Sequence, residues 1–141
     1  MILVLNILDR NNGSYLIFKK GKIIFSYNFI LEIGEESILK ELDIFLKKNK
    51  ILLNNIKGLI LLIKESSLTQ VKVIFIIINT LGWNLNIPVV CKFYFFKDFK
   101  ELLPNLINKI ENNKSFKYLD IKYKQKPNIT LSKNKNKYII K

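Results

Sequence analysis

Residues 66–90, SSLTQVKVIFIIINTLGWNLNIPVV, constrain the fold more than any other stretch of this chain. A polar turn, Ser66-Ser67-Leu68-Thr69, opens it. An apolar run from Val71 to Leu85 follows, Asn86-Ile87-Pro88 breaks the run, and Val89-Val90-Cys91 restarts it as a strand. Val71, Val73, Ile74, Ile76, Ile77 and Ile78 are β-branched and favour a strand. About 15 residues is too long for a typical strand and suits a helix. Ser67 followed three residues later by Gln70 fits a capping box. Length, cap and terminator together predict a helix over Thr69–Leu85. Such a helix is apolar nearly all round, so it needs cover on more than one face.

The rest of the chain supplies that cover. Ile2 to Leu5 is a short apolar run ending at Asn6, and Arg10-Asn11-Asn12-Gly13 is a turn signal. Ser14–Lys19 and Lys22–Ile30 are rich in Tyr, Phe and Ile, with Lys20-Gly21 as a tight turn between them. A helix over Glu35–Lys48 places acids at its start and Lys47 and Lys48 at its end, as the helix dipole prefers. Ile38, Leu39, Leu42, Phe45 and Leu46 recur on it at spacings of three and four. Gly58–Ile63 reads as a strand covered on both faces, and Pro88 to Phe93 as another. The order β-β-β-α-β-α-β predicts an α/β fold, a mixed sheet with packed helices. Asp98–Glu111 reads as a C-terminal helix interrupted near its first turn by Pro104. Leu119 to Tyr123 reads as a last short strand. Seven lysines and no acid follow Asp120, and this basic tail reads as disordered.

At 141 residues the chain reads as one domain, able to bury about two-thirds of its unfolded surface. A net charge of +13 would ordinarily point to nucleic acid or an anionic membrane. The 24 Ile, 23 Lys and 17 Asn, with one Arg and no Ala, instead trace an AT-rich codon bias, which weakens that inference. No basic n-region leads an h-region and cleavage site. Lys72, Asn79, Thr80 and Asn84 leave the apolar helix short of a clean membrane span. A cytoplasmic protein with no membrane partner is the expectation.

Little enzyme chemistry is on offer. Without histidine there is no imidazole base and no His metal ligand. The single cysteine, Cys91, falls in an apolar strand and reads as a small hydrophobe rather than a nucleophile. Neither GxxxxGK[ST] nor GxGxxG occurs. The hydroxyls of Ser66, Ser67 and Thr69 could meet an anion at a helix N-terminus, but capping is the plainer role. The expectation is no catalytic residue, no cofactor and no metal.

The strand and helix order is that of one lobe of the actin/Hsp70/sugar-kinase superfamily, which has a ribonuclease-H-like sheet. The 66–90 stretch resembles the TsaB (YeaZ) family, whose members carry a segment like GPGSFTGLRIGLATAKGLALALGIPVV. Without a gap, Ser67 and Thr69 match its Ser and Thr, Lys72 its Arg, and Ile87-Pro88-Val89-Val90 its IPVV. Met1-Ile2-Leu3-Val4-Leu5 resembles the family's MILAID opening, and residues 122–127 faintly resemble its PxYLRxP close. The resemblance implies a TsaB-like N-terminal lobe over residues 1–93, a helical remnant of the second lobe over 94–118, and a strand with basic tail over 119–141. The departures are Asn6 for the family's Asp, Lys64-Glu65-Ser66 for its glycines and proline, and large residues for its small helical ones. The second lobe is almost entirely missing.

What the resemblance implies is a non-catalytic scaffold subunit. It would form a heterodimer with a TsaD-like protein, which with a TsaE-like ATPase modifies tRNA to threonylcarbamoyladenosine. Contact with tRNA would be indirect, and a homodimer is open to the isolated chain. The family pairs through its first two helices, which assigns Ile38, Leu42 and Phe45 of the first and Val71, Phe75 and Ile78 of the second to the interface. Ile74, Ile77 and Leu81 would then face the sheet. The rival expectation is a small basic RNA-binding module whose lysines track phosphates.

Overall fold

Two parallel strands apolar on both faces form the centre of the fold, β1 (Ile2–Ile7) and β4 (Gly58–Ile63), every residue of which is buried. The structure, a computed structural model, describes residues 1–31, 36–95, 98–113 and 115–119. β1 pairs in parallel with β4, Ile2 opposite Gly58 through Ile7 opposite Ile63. On its other side β1 pairs antiparallel with β2 (Asn12–Lys19), which pairs antiparallel with β3 (Lys22–Ile30). β5 (Val89–Phe93) joins β4 in parallel. The five-stranded sheet therefore has the order β3-β2-β1-β4-β5. This is the mixed α/β sheet that the sequence predicts. Asn6 does not end β1; it is a buried residue within it.

Period-two alternation assigns the side chains to two cores. Leu3, Leu5, Ile7, Leu59, Leu61 and Ile63 face one side of the sheet, beneath α1 (Glu36–Lys48) and α2 (Leu68–Leu85). Ile2, Val4, Ile60 and Leu62 face the other, beneath α3 (Phe99–Asn112). A doubly covered strand has no polar face, which is why Gly58–Ile63 reads as an unbroken apolar run. Gly58 lets α3 come close: a Cβ there would lie 2.4 Å from Ile110 Cγ2.

The segment read as a helical extension is a helix, and it packs on the sheet of the lobe itself. Leu103, Leu106, Ile107 and Ile110 of α3 are buried on the sheet's second face, which would otherwise stand bare. Nor does Pro104 interrupt the helix. It lies inside α3 on the exposed side, where the Lys100 carbonyl deprived of an amide partner can face water. Asp98 caps the helix by accepting from the Lys100 amide at 3.1 Å.

The helix cap at Ser67 forms as expected, its Oγ accepting from the Gln70 amide at 3.1 Å. The reciprocal half of a capping box is replaced. The Gln70 side chain accepts from Ser66 Oγ and donates to the Arg10 carbonyl at 3.1 Å, tying the β1–β2 turn to the start of α2. Asn86 ends α2 in the left-handed conformation, and the Ile87 amide bonds back to the Gly82 carbonyl at 3.0 Å. Glu35, the strand residues 120–123, the motif at 122–127 and the basic tail lie outside the described residues.

Candidate functional site

Two regions could carry function: the end of the sheet where β1, β4 and β5 finish, and the outward surface of α1 and α2. At the first, the Tyr94 hydroxyl donates to Asn6 Oδ1 at 2.8 Å, and both side chains are buried. Tyr94 follows β5 directly, and its own amide bonds the Ile63 carbonyl at 3.0 Å, which sets the ring over the β1 end. Burial, partly offset by the Asn6 bond, raises the pKa of Tyr94, so the phenol keeps its proton at neutral pH. Asp9 lies in the adjoining turn, where the Asn11 amide and the Asn12 side chain hold its carboxyl below the usual range. The carboxylate is thereby engaged in an Asx turn. The position that carries an acid in the resembled family is here a neutral amide whose oxygen is already bonded.

The matched motif divides by burial. Ile87, Pro88 and Val89 are buried and Val90 half-buried, so the IPVV match marks the entry to β5. The Pro88 carbonyl accepts from the Leu59 amide at 3.0 Å, extending the β4–β5 ladder. A proline suits an edge strand, where its missing N–H costs no ladder bond. Ser67 is the cap described above, and Thr69 and Lys72 are exposed on the first turns of α2. Cys91 is half-buried, with its thiol pushed up to about 12 by burial, so it is not a thiolate at neutral pH. Among the described residues, no three Cys, Asp or Glu side chains are grouped so as to hold a metal ion.

The six residues assigned to a partner interface are not on the surface. Ile38, Leu42, Phe45, Val71, Phe75 and Ile78 are all buried in the core between the sheet and the two helices. Phe45 stacks with Tyr15 and Tyr27 at centroid separations of 5.9 and 5.8 Å, and Phe75 meets Phe93 at 6.4 Å. The Tyr15 hydroxyl bonds the Ile38 carbonyl at 2.7 Å, fixing α1 on the sheet. The physical reason is width. A helix seated on a sheet buries a broad arc, so Val71 and Phe75 reach the core along with Ile74 and Ile77.

The exposed stripe of α2 is Thr69, Lys72, Ile76, Thr80 and Trp83, at spacings of three and four. Ile76 is 63% exposed and Trp83 70%. On α1, Leu39 and Ile44 are the exposed large apolar residues. Sequence reasoning missed this stripe, although its signal was present: three polar residues share it with Ile76 and Trp83.

It also missed how α2 is covered along its flank. The segment 115–119 returns from α3 and lies along the helix. The Asn79 side chain accepts from the Leu119 amide at 2.8 Å and donates to the Leu119 carbonyl at 3.1 Å. Phe116 rests over Gly82, where a Cβ would lie 2.9 Å from its ring and 2.6 Å from Val89 Cγ1. By length and composition α2 is apolar enough to cross a membrane, contrary to the expectation from its four polar interruptions. Here seven of its residues are buried against the chain itself.

No protein-family profile matches the sequence, and no curated protein matches it. Solved structures do share the fold. One is described as YeaZ from Pseudomonas aeruginosa, with a TM-score of 0.55 and 15% identity over 64% of this chain and 42% of that one. A second, an uncharacterized protein with similarity to peptidase YEAZ from Pseudomonas aeruginosa, gives the same values. The chain thus spans less than half the length of these structures, and the likeness is one of fold.

Proposed function

We propose that this chain is a non-catalytic scaffold subunit in tRNA threonylcarbamoyladenosine modification. It would act in the cytoplasm as the heterodimer partner of a TsaD-like protein, with a TsaE-like ATPase in the assembled complex and tRNA reached only indirectly. The observation that carries this reading is the outward stripe of α2, where Ile76 and Trp83 stand exposed, with Leu39 and Ile44 exposed on α1. The YeaZ-like fold supports it, and so does the neutral Asn6–Tyr94 pair where a phosphate-handling acid would be needed. A large aromatic left in solvent at the C-terminal end of an otherwise mixed stripe suits an interface anchor.

The test is co-expression with the TsaD-like protein of the same organism, followed by affinity capture. The wild-type chain should be retained and Trp83→Asp lost, with both showing the same circular dichroism. Retention of Trp83→Asp at wild-type level would place any contact elsewhere. A second reading, a small basic RNA-binding module, draws on the net charge of +13. It requires the isolated chain to bind RNA with an affinity that falls steeply with salt.

A further inference from the structure

At the opposite end of the sheet from Asn6 lies a cavity of about 360 Å³, lined by Met1, Ile2, Phe18, Lys19, Lys20, Gly21, Lys57, Ile110 and Glu111. Its two halves differ in chemistry. Ile2, Phe18 and Ile110 form an apolar wall, with Ile110 brought in by the close approach that Gly58 allows. Lys19, Lys20 and Lys57 form a rim, and Glu111 is the one acid among the lining residues. None of these four side chains is in an ion pair among the described residues, where the Lys47–Asp43 bridge is formed elsewhere.

The rim is also held in place. Lys20 and Gly21 have φ of 51° and 82°, the mirror-type two-residue turn that matches strand twist, and Lys19 pairs with Lys22 across it. The Lys57 amide bonds the Met1 carbonyl at 2.8 Å, fixing the backbone on the other side. Three lysine point charges against one carboxylate favour a dianion over a monoanion, since each cation adds its own attraction. The volume falls within the range of small-ligand pockets, and a concave site suits a terminal phosphate better than a continuous nucleic-acid backbone.

We propose that this cavity binds a small phosphomonoester carrying an apolar or ring-bearing body, the phosphate at the lysine rim and the body against Phe18 and Ile110. The proposal is independent of the scaffold reading and uses none of the residues on the α1–α2 surface.

The experiment is an amide proton–nitrogen NMR titration of the full chain with phenyl phosphate, inorganic phosphate and benzoate. Saturable shifts should centre on Lys20, Gly21, Lys57 and Ile110, with phenyl phosphate binding tightest and benzoate weakest. Lys57→Gln and Lys20→Gln should each weaken phenyl phosphate by about fivefold or more, from loss of one charged contact. Lys40→Gln, on the exposed side of α1, should leave it unchanged. The proposal is overturned by shifts spread over every lysine-bearing segment, or by equal affinity in the wild type and Lys57→Gln. It is equally overturned if benzoate matches phenyl phosphate or if inorganic phosphate matches it.

Discussion

Tyr94, the first residue beyond β5, donates its hydroxyl to Asn6 in β1 across 2.8 Å, and so bridges two strands that are not neighbours in the sheet. β4 lies between them, and the bond passes over its end. The pair closes the end of the sheet where an ionised side chain would otherwise have to be solvated. Removing the hydroxyl leaves a buried amide oxygen without its partner. Tyr94→Phe should therefore lower stability by about 1–3 kcal/mol, read as a shift of the urea midpoint with an unchanged slope.

Asn6→Asp restores the acid that the resembled family carries, and its effect should depend on pH. The site is buried, so desolvation raises the folded-state pKa of the new carboxyl above its unfolded value. The protonated form is then the one that folding favours. Near pH 4 the variant should be close to wild type. Stability should fall as pH rises and the unfolded state ionises more readily, with a deficit of about 2–4 kcal/mol at neutral pH. Urea unfolding at the two pH values measures it, and a variant more stable at neutral pH than at pH 4 would contradict the burial argument.

Asn79 is a buried polar residue in the middle of an apolar helix, and it hydrogen-bonds both backbone groups of Leu119. Asn79→Ala should release the 115–119 segment while leaving the sheet intact. The Leu119 amide should then exchange with solvent much faster, by about tenfold or more for a loss of 1.4 kcal/mol. Amides of β1 and β4 should be slowed or hastened far less.

Gly82→Ala would ordinarily stabilise a helix by about 1 kcal/mol. Here the added carbon meets Val89 Cγ1 at 2.6 Å and the Phe116 ring at 2.9 Å, so the steric penalty should win. The expected outcome is a net loss of about 1–2 kcal/mol, read as a lower melting temperature. A rise in melting temperature would show that Phe116 and Val89 give way cheaply.

Phe75→Asp and Trp83→Asp separate the two sides of α2. Phe75 is 3% exposed, so an aspartate there buries an unpaired charge and should unfold the chain. Trp83→Asp should keep the far-ultraviolet circular dichroism of the wild type, because that side chain faces water. Equal unfolding of both variants would mean that α2 is covered on its outward stripe as well.

The local elements were legible in the sequence because each carries its own signal. Ser67 caps, Asn86 and Pro88 terminate, Lys20-Gly21 turns, and the unbroken apolar run of β4 announces a strand covered twice. Those signals depend on neighbours along the chain, and together they sufficed for the strand and helix order. They did not suffice for α2, where Phe75 and Ile76 are equally apolar and adjacent, yet one is buried and the other is in solvent. The polar residues that share a stripe with Ile76 hint at the difference, but the angle at which the helix sits on the sheet decides how wide an arc is buried. The Asn6–Tyr94 bond, the Asn79–Leu119 bracket and the lysine-rimmed cavity join residues 88, 40 and up to 110 positions apart in sequence. No periodicity encodes such pairings. They arise when the crossovers carry distant segments to the same end or flank of the sheet, and the cost of burying a polar group without a partner then selects which side chains meet.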